Sequence, residues 1–259
     1  MIKETEEKLA RSLTAETTDL LPFLPYLLQD LWELGSDPRE IIKLIKDHIP
    51  LSDDTKILDL ACGKGAVSIR IAESLGVNVY GVDLISEFIE YADKKAKELD
   101  VGSLCHFSCG DANEPIGVGT DYDCVVFGAA GNVLGSPQET LQKLIKTVKP
   151  GGCVIIVESY LPNDSNNNEI KYKNYEYLTH AQWLSLFKDN GLMLLEELSS
   201  TEEYDFDSDT NAIALRADEL IAKHPDKRAI FEGYVNSQRH ESEDLESSLT
   251  SVTWMLKKY

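Results

Sequence analysis

The stretch Lys56-Ile57-Leu58-Asp59-Leu60-Ala61-Cys62-Gly63-Lys64-Gly65 decides how the rest of the chain is read. A short apolar strand carries an acid, turns through small residues, and opens into a helix near Gly65–Leu75. Gly63 and Gly65 permit a tight turn and let a ligand approach bare backbone. Two more acids repeat the arrangement. Asp83 ends the next apolar run, Tyr80-Gly81-Val82-Asp83, and Asp111 follows a third in Cys109-Gly110-Asp111-Ala112. Taken singly each is weak, because a terminal Asp often only caps a helix. Three acids after three consecutive strands fall at one edge of one sheet, the carboxyl edge, where open α/β sheets bind ligands. There Asp83 can accept both hydroxyls of an adenosine ribose, and Asp111 is placed to accept from an adenine amino group.

Outward from this stretch, short apolar strands alternate with helices, the pattern of a doubly wound α/β fold with a mostly parallel sheet. The apolar runs predict strands at Lys56–Leu60, Asn78–Val82, Leu104–Ser108, Asp123–Gly128 and Val154–Glu158, then Leu192–Leu198 and Ser251–Lys258. Helices are predicted at Ser86–Leu99 and Pro137–Val148, the latter started by Ser136-Pro137-Gln138-Glu139 with its capping Ser and Glu. Lys149-Pro150-Gly151-Gly152 forces a turn into the fifth strand. Thr179-His180-Ala181-Gln182 caps a helix ending at Asn190-Gly191, and residues 209–246 read as helical and charged. Pro162–Asn168 reads as a polar loop.

Three divisions follow: residues 1–50 as a helical lid or brace, 51–200 as the core, and 201–259 as a helical insertion with the strand that completes the same domain. The lid reading extends to residues 160–245, which leave the fifth strand at the ligand edge. Closure of such a lid excludes water and shapes a pocket.

Composition narrows the function classes. The 259 residues carry 45 acidic against 25 basic side chains, a net charge of −20, and such a surface repels phosphate backbones and anionic lipid. Nucleic acid and membrane partners are therefore not expected. No run approaches ~18 consecutive apolar residues, and the charged Met1–Leu13 stretch has no signal-peptide core, so a cytoplasmic location is expected. Cys62, Cys105, Cys109, Cys124 and Cys153 form no CxxC pair and sit in or beside apolar runs, as small buried hydrophobes do. No His/Cys/Asp cluster stands at metal-ligand spacing.

On these residues the chain resembles the class I, Rossmann-like S-adenosylmethionine-dependent methyltransferases, in particular the type 11 and ubiquinone–menaquinone-biosynthesis-like members. DLACGKG resembles their first motif, DxGCGxG, with Ala61 where Gly is commoner. Gly81–Asp83, Gly110–Ala112, Asp121–Phe127 and Lys149–Ser159 match later motifs in order, and SVTWMLKKY is similar to the reversed last strand of that fold. Residues 1–50 and 160–245 match no substrate-specific subgroup. The resemblance implies a seven-stranded sheet with an antiparallel last strand and S-adenosylmethionine as cofactor. It also implies roles by position. Asp59, Ala61, Cys62, Gly63 and Gly65 would border the methionine part, Asp83 would hold the ribose, and Leu84 would flank adenine. Asp111 and Ala112 would meet the adenine edge, and Phe127, Gly128 and Ala129 would floor the site.

The residues themselves favour a sulfonium over a dinucleotide. Gly63-x-Gly65-x-x-Ser68 lacks the third small position of the dinucleotide fingerprint, and Asp59 would crowd a pyrophosphate. A cationic sulfonium or ammonium is favoured beside that acid. The competing readings are an NAD-type oxidoreductase and a non-catalytic cofactor-binding module. Methyl transfer from a sulfonium is an in-line displacement in which the protein chiefly aligns the acceptor, and a base is needed only where the nucleophile must lose a proton. A small-molecule acceptor is expected, with Asn132, Tyr160, Tyr175 and Tyr177 as its candidate contacts. His180, Trp183 and His240 are further candidates, although Trp183 equally suits a core and the two histidines a surface. Aromatic rings among these suit a cationic or apolar acceptor. Oligomeric state is not legible in the sequence.

Overall fold

The computed structural model describes residues 2–114, 121–162, 169–199 and 205–259. In chain order the elements are α1 (Ile2–Ser12), a 3-10 turn (Thr18–Phe23), α2 (Leu24–Leu27), α3 (Pro38–His48), β1 (Lys56–Leu60), α4 (Ala66–Leu75), β2 (Asn78–Asp83) and α5 (Ser86–Glu98). They continue with β3 (Cys105–Cys109), β4 (Tyr122–Gly128), α6 (Pro137–Thr147), β5 (Val148–Tyr160), α7 (His180–Asp189) and β6 (Leu192–Ser199). The chain closes with α8 (Phe206–Lys223), a 3-10 turn (Pro225–Lys227), α9 (Arg228–Ser247) and β7 (Thr250–Lys258).

The strands form one seven-stranded sheet in the order β3-β2-β1-β4-β5-β7-β6. β7 pairs antiparallel with both β5 and β6, and the other pairings are parallel. The chain winds outward from β1 to β3, then returns to β4 on the other side of β1. That reversal opens a crevice at the carboxyl ends of β1 and β4, where doubly wound sheets place their ligands.

Alternation along each strand sends successive side chains to opposite faces. On one face Val125, Phe127, Val154 and Ile156 pack with Leu141 and Leu144 of α6 and with Trp183 and Phe187 of α7. On the other, Ile57, Val79, Val126 and Ile155 meet Ile41, Leu44 and Ile45 of α3 and Ile69 and Ala72 of α4. A third apolar cluster lies off the sheet: Ala10, Leu20, Leu24 and Leu27 of the N-terminal segment pack on Ile213, Leu220, Phe231 and Tyr234 of α8 and α9. Thus α3 belongs to the sheet, while the chain before it joins α8 and α9 in a cap.

Two details depart from the sequence reading. The helical run 209–246 is two helices, because Pro225 supplies no amide and breaks the ladder after His224. The fifth strand starts at Val148 rather than Val154. Val148 already pairs with Tyr122, and the register shifts before Cys124 meets Cys153. The capping boxes at Ser136/Glu139 and Thr179/Gln182 form as expected. Asn163–Asn168 of the polar loop lies outside the described residues. Among the described residues no helix is long and apolar enough to cross a membrane.

Trp254 on β7 is the centre of the first face. It is fully buried, with Phe187, Trp183 and Tyr160 rings at 5.1, 5.4 and 6.0 Å, and its Nε1 donates to Glu197 at 2.7 Å. Trp254→Ala is expected to cost about 3–5 kcal/mol, lowering the thermal midpoint by roughly 10 °C. Leu215→Ala, at a side chain 57% exposed, serves as the control and should move it by no more than ~0.5 kcal/mol. Equal melting shifts in the two variants would remove Trp254 from its central place.

Candidate active site

The turn after β1 is built from backbone in the left-handed region, with Ala61 at φ +58°, Gly63 at +53° and Gly65 at +74°. Gly65 cannot be replaced without conflict, since a Cβ there would stand 2.8 Å from Ala92 Cβ and 2.9 Å from the Phe107 ring. The turn is tied to the neighbouring strand. The Cys62 amide donates to Val82 O at 3.0 Å, and the Gly63 amide donates to Asp83 Oδ2 at 2.8 Å. The other oxygen of Asp83 accepts from the Ile85 amide at 2.9 Å. Behind the turn, Ser68 Oγ on α4 donates to Asp59 Oδ2 at 2.6 Å.

Two acids therefore sit deep in one crevice, Asp59 being 3% and Asp83 7% exposed. Burial pushes the Asp59 carboxyl up to about 7, with the Ser68 hydrogen bond opposing and the charge of Asp83 adding to the rise. Burial also raises Asp83, against the backbone amides that donate to it. The lysine between the glycines does not neutralise them. Lys64 Nζ turns away to the carbonyls of Leu28 and Leu31, 2.5 Å each, and stands 5.1 Å from the Tyr91 ring centroid. Burial pulls its ammonium down to about 8. A crevice with two acids, whose lining lysine is directed elsewhere, favours a positively charged ligand.

The N-terminal segment reaches across this crevice. Trp32 Nε1 donates to Lys64 O at 3.2 Å. Leu34 lies over Gly63 so closely that a Cβ there would stand 3.1 Å from its Cδ1. Ser36 Oγ occupies the space a Gly128 side chain would need, and a Cβ on Gly35 would be 2.9 Å from Ala129 Cβ. On α1, Thr5 Oγ1 donates to Asp111 Oδ2 at 3.1 Å. Desolvation acts to raise Asp111, but hydrogen bonds from Asn113 and Thr5 hold it below the usual carboxylate range. The free volume left in the crevice is about 70 Å³, against roughly 300–1,000 Å³ for ligand pockets in general.

Of the residues expected at the cofactor, Asp59, Ala61, Cys62, Gly63, Asp83, Gly128 and Ala129 line this crevice. Gly65, Leu84, Ala112 and Phe127 are not among its walls; Phe127 faces the core behind it. Asp111 also stands outside the walls, under α1. Sequence reasoning misses Leu9, Ser12 and Leu13 from α1 and its end, Trp32, Leu34 and Ser36 from the strap, and Phe88 from α5. The one signal present is Leu34-Gly35-Ser36, a glycine between side chains that must pass close to another backbone.

The acceptor candidates separate. Tyr175 and Tyr177 stand together, ring centroids 4.7 Å apart and edge-on, and Tyr175 Oη donates to Glu158 Oε2 at 2.7 Å. Tyr160 packs on His180 and Trp254, and His180 is held by Glu197 at 2.7 Å, so both serve the sheet face. Trp183 is core, His240 is exposed, and Asn132 lies in the half-buried turn after β4. Glu158, to which the sequence reading gives no role, lies near the end of β5 one residue past Val157, the strand partner of Gly128. Among the described residues no three His, Cys, Asp or Glu side chains are grouped to hold a metal.

Comparison with known proteins agrees with this architecture. Residues 51–220 match the methyltransferase-domain family. The protein YjhP of Escherichia coli K12 is 28% identical over 156 residues, covering 58% of this chain and 62% of that protein. The demethylmenaquinone methyltransferase of Lactobacillus johnsonii is 28% identical over 109 residues, 41% of this chain and 45% of that one. The chain thus matches about half to three-fifths of the length of these relatives. The crystal structure of a methyltransferase from Geobacter sulfurreducens, in complex with S-adenosyl-L-homocysteine, superposes with a TM-score of 0.74. It is 18% identical, and the match covers 92% of this chain and 98% of that one. That structural likeness speaks for the fold, and the family match for the kind of enzyme: the chain belongs to the class I, S-adenosylmethionine-dependent methyltransferase family.

Proposed function

We propose that this protein transfers the methyl group of S-adenosylmethionine to a small-molecule acceptor at the crevice between β1 and β4. The observation that carries the reading is the pair of buried acids, Asp59 and Asp83, flanking a backbone turn whose own lysine points away from it. The donor set suits the cofactor. Asp83 offers carboxylate lone pairs to ribose hydroxyls, and Asp59 offers charge to the methionine end. The bare Gly63 gives the close approach that a side chain would block. When bound, the cofactor supplies an already activated methyl group on a cationic sulfur. The chain's own work is then to orient, to exclude water and to bring the acceptor into line.

Of the segment 1–50, the part before Pro38 is proposed as the lid. Its anchors are the Lys64 ammonium on the Leu28 and Leu31 carbonyls, the Trp32 indole on Lys64 O, and Thr5 on Asp111. With about 70 Å³ left beneath it, the strap has to withdraw for a cofactor to bind. The cap formed by α8 and α9, within the division 201–259, is the wall on which this lid closes. The relatives named demethylmenaquinone methyltransferases have demethylmenaquinone as their acceptor by name.

Titration of S-adenosylhomocysteine into the protein by calorimetry should give saturable binding, weakened by Asp83→Ala by about 1–3 kcal/mol, the range for a lost charged hydrogen bond. Undiminished affinity in that variant would remove Asp83 from the ribose. The raised carboxyl of Asp59 adds a pH signature. With its pKa at about 7, it is largely protonated at pH 6 and largely ionised at pH 8. Affinity for S-adenosylmethionine should therefore rise about tenfold over that interval, and Asp59→Asn should flatten the profile. A profile that is flat in the unmodified protein contradicts the pairing of Asp59 with the cationic end.

A further inference from the structure

The chain ahead of α3 is held unequally along its length. Its later part, the strap at residues 28–37, is tied at both ends. The Trp32 indole donates to Lys64 O at 3.2 Å, and the Arg70 guanidinium and Lys95 ammonium lie over its ring, 4.9 and 5.4 Å from the centroid. Asp37 then caps α3, accepting from the Arg39 amide at 2.8 Å, with Pro38 in the first turn. Only residues 33–36 lie between these ties, among them Leu34 over Gly63 and Ser36 over Gly128. So short a stretch has little reach. The earlier part, α1, covers the crevice with one face. Thr5, Leu9 and Ser12 recur at helical spacing, with Leu13 directly after the helix. Leu9, Ser12 and Leu13 line the crevice, and Thr5 Oγ1 donates to Asp111 Oδ2 at 3.1 Å. The other face, Lys3, Glu4, Glu6, Glu7 and Arg11, is exposed, and among the described side chains of α1 only Ala10 is buried.

The end of α1 supplies the independent observation. The Ala15 amide donates to Ala10 O at 2.8 Å and the Thr14 amide to Arg11 O at 3.0 Å, a helix close that sets Thr14 in the left-handed region at φ +64°. Glycine is the usual occupant of such a position. Among the described residues the non-glycine positions with positive φ are Thr14, Ala61, Asp100 and Ala129, and Thr14 is the β-branched one. A β-branched side chain is an outlier there, and its strain persists only where the surroundings hold it. The holder is Glu241 on α9, whose Oε2 accepts from Thr14 Oγ1 at 2.5 Å, with Thr14 only 4% exposed. Past Thr14 the chain is packed: Ala15 is fully buried, and Leu20 joins the cluster with α8 and α9. The strained residue therefore falls between α1 and the packed cap.

Resting on the methyl-transfer reading, we propose that α1 is the gate of the crevice, a leaf hinged at Thr14 that opens ahead of the strap. Closed, it lays Leu9, Ser12 and Leu13 along the crevice and Thr5 on Asp111. Opening rotates the Thr14 backbone out of the left-handed region and carries α1 away. The strap, tied at Trp32 and Asp37, then yields by a smaller shift. Strain at the hinge opposes the packing that closure gains, which brings the two arrangements nearer in free energy. A ligand that binds only the open arrangement draws the population towards it, so α1 sets how readily the crevice fills.

The test is a reversible lock. A Cβ on Gly131 would lie 3.7 Å from Ser12 Cβ, within the span of about 3.5–4.5 Å that a disulfide needs. Ser12→Cys combined with Gly131→Cys therefore ties α1 shut on oxidation. Association of S-adenosylhomocysteine with the full chain is measured by stopped flow, with the unmodified protein treated alike as the reference. The oxidised double variant should associate about tenfold more slowly than its own dithiothreitol-reduced form, because the competent fraction falls. Thr5→Val, which keeps the side-chain shape but removes the donor to Asp111, should associate about threefold faster than the unmodified protein, as one lost hydrogen bond implies. It decides the matter alone if the cysteine pair does not fold. Equal association of the oxidised and reduced forms, or an unaccelerated Thr5→Val, overturns the gate and leaves the cofactor reading standing. Failure of S-adenosylhomocysteine to bind the unmodified protein would overturn both.

Discussion

The hydrogen bond from the Gly63 amide to Asp83 Oδ2, 2.8 Å long, joins the turn after β1 to the end of β2, and the rest of the site depends on it. It requires the left-handed backbone of the turn, which Gly63 and Gly65 take up cheaply and Ala61, with its Cβ, does not. It also requires β1 and β2 to be parallel and in register, Leu60 beside Val82, so that both ends reach the same edge. Once that edge is fixed, the reversal from β3 to β4 leaves Gly128 and Ala129 facing Asp59 and Ala61 across the crevice. The acid that would hold a ribose is thus oriented by the loop that would touch the methionine end, which couples the two halves of the site.

The same turn anchors the cap. Lys64 has its backbone in the glycine loop and its ammonium on two carbonyls of the N-terminal segment, with the Tyr91 ring of α5 beside it. A lysine so buried is held by charge-assisted hydrogen bonds at the cost of desolvation, seen in the lowering of its pKa to about 8. Breaking those contacts exposes the ammonium to water, which offsets part of the loss. In the proposed lid such a latch would hold the N-terminal segment without making it permanent; the same segment also donates to Asp111 through Thr5 and to Glu241 through Thr14.

The parts of this protein that are local in sequence are legible in the sequence itself. A parallel strand, its turn and its returning helix span few residues, so the pattern around Asp59–Gly65 and the acids at 83 and 111 carries the winding of the sheet. The strand number and the reversed β7 come with the family resemblance. Contacts between distant stretches escape, because no period announces them. Leu34, Gly35 and Ser36 fit over Gly63, Gly128 and Ala129, and none of these positions looks unusual in its own neighbourhood. Tyr160 and His180 suit an acceptor site by being aromatic or titratable, but Glu197 and Trp254 hold them on a sheet face. Glu158 follows the same logic as Asp83, an acid late in an otherwise apolar strand at the carboxyl edge. Within Val154–Ser159 the family motif hides it.

On the proposed function, ligand and lid compete for one crevice at the carboxyl edge of β1 and β4. Hydrogen–deuterium exchange of the full chain, with and without saturating S-adenosylhomocysteine, measures this most directly. Binding should change exchange in residues 2–36 together with the turn at 60–67 and the start of α5, while the strand β7 amides stay as they are. Saturating ligand that alters exchange elsewhere and leaves both 2–36 and 60–67 untouched would contradict the account.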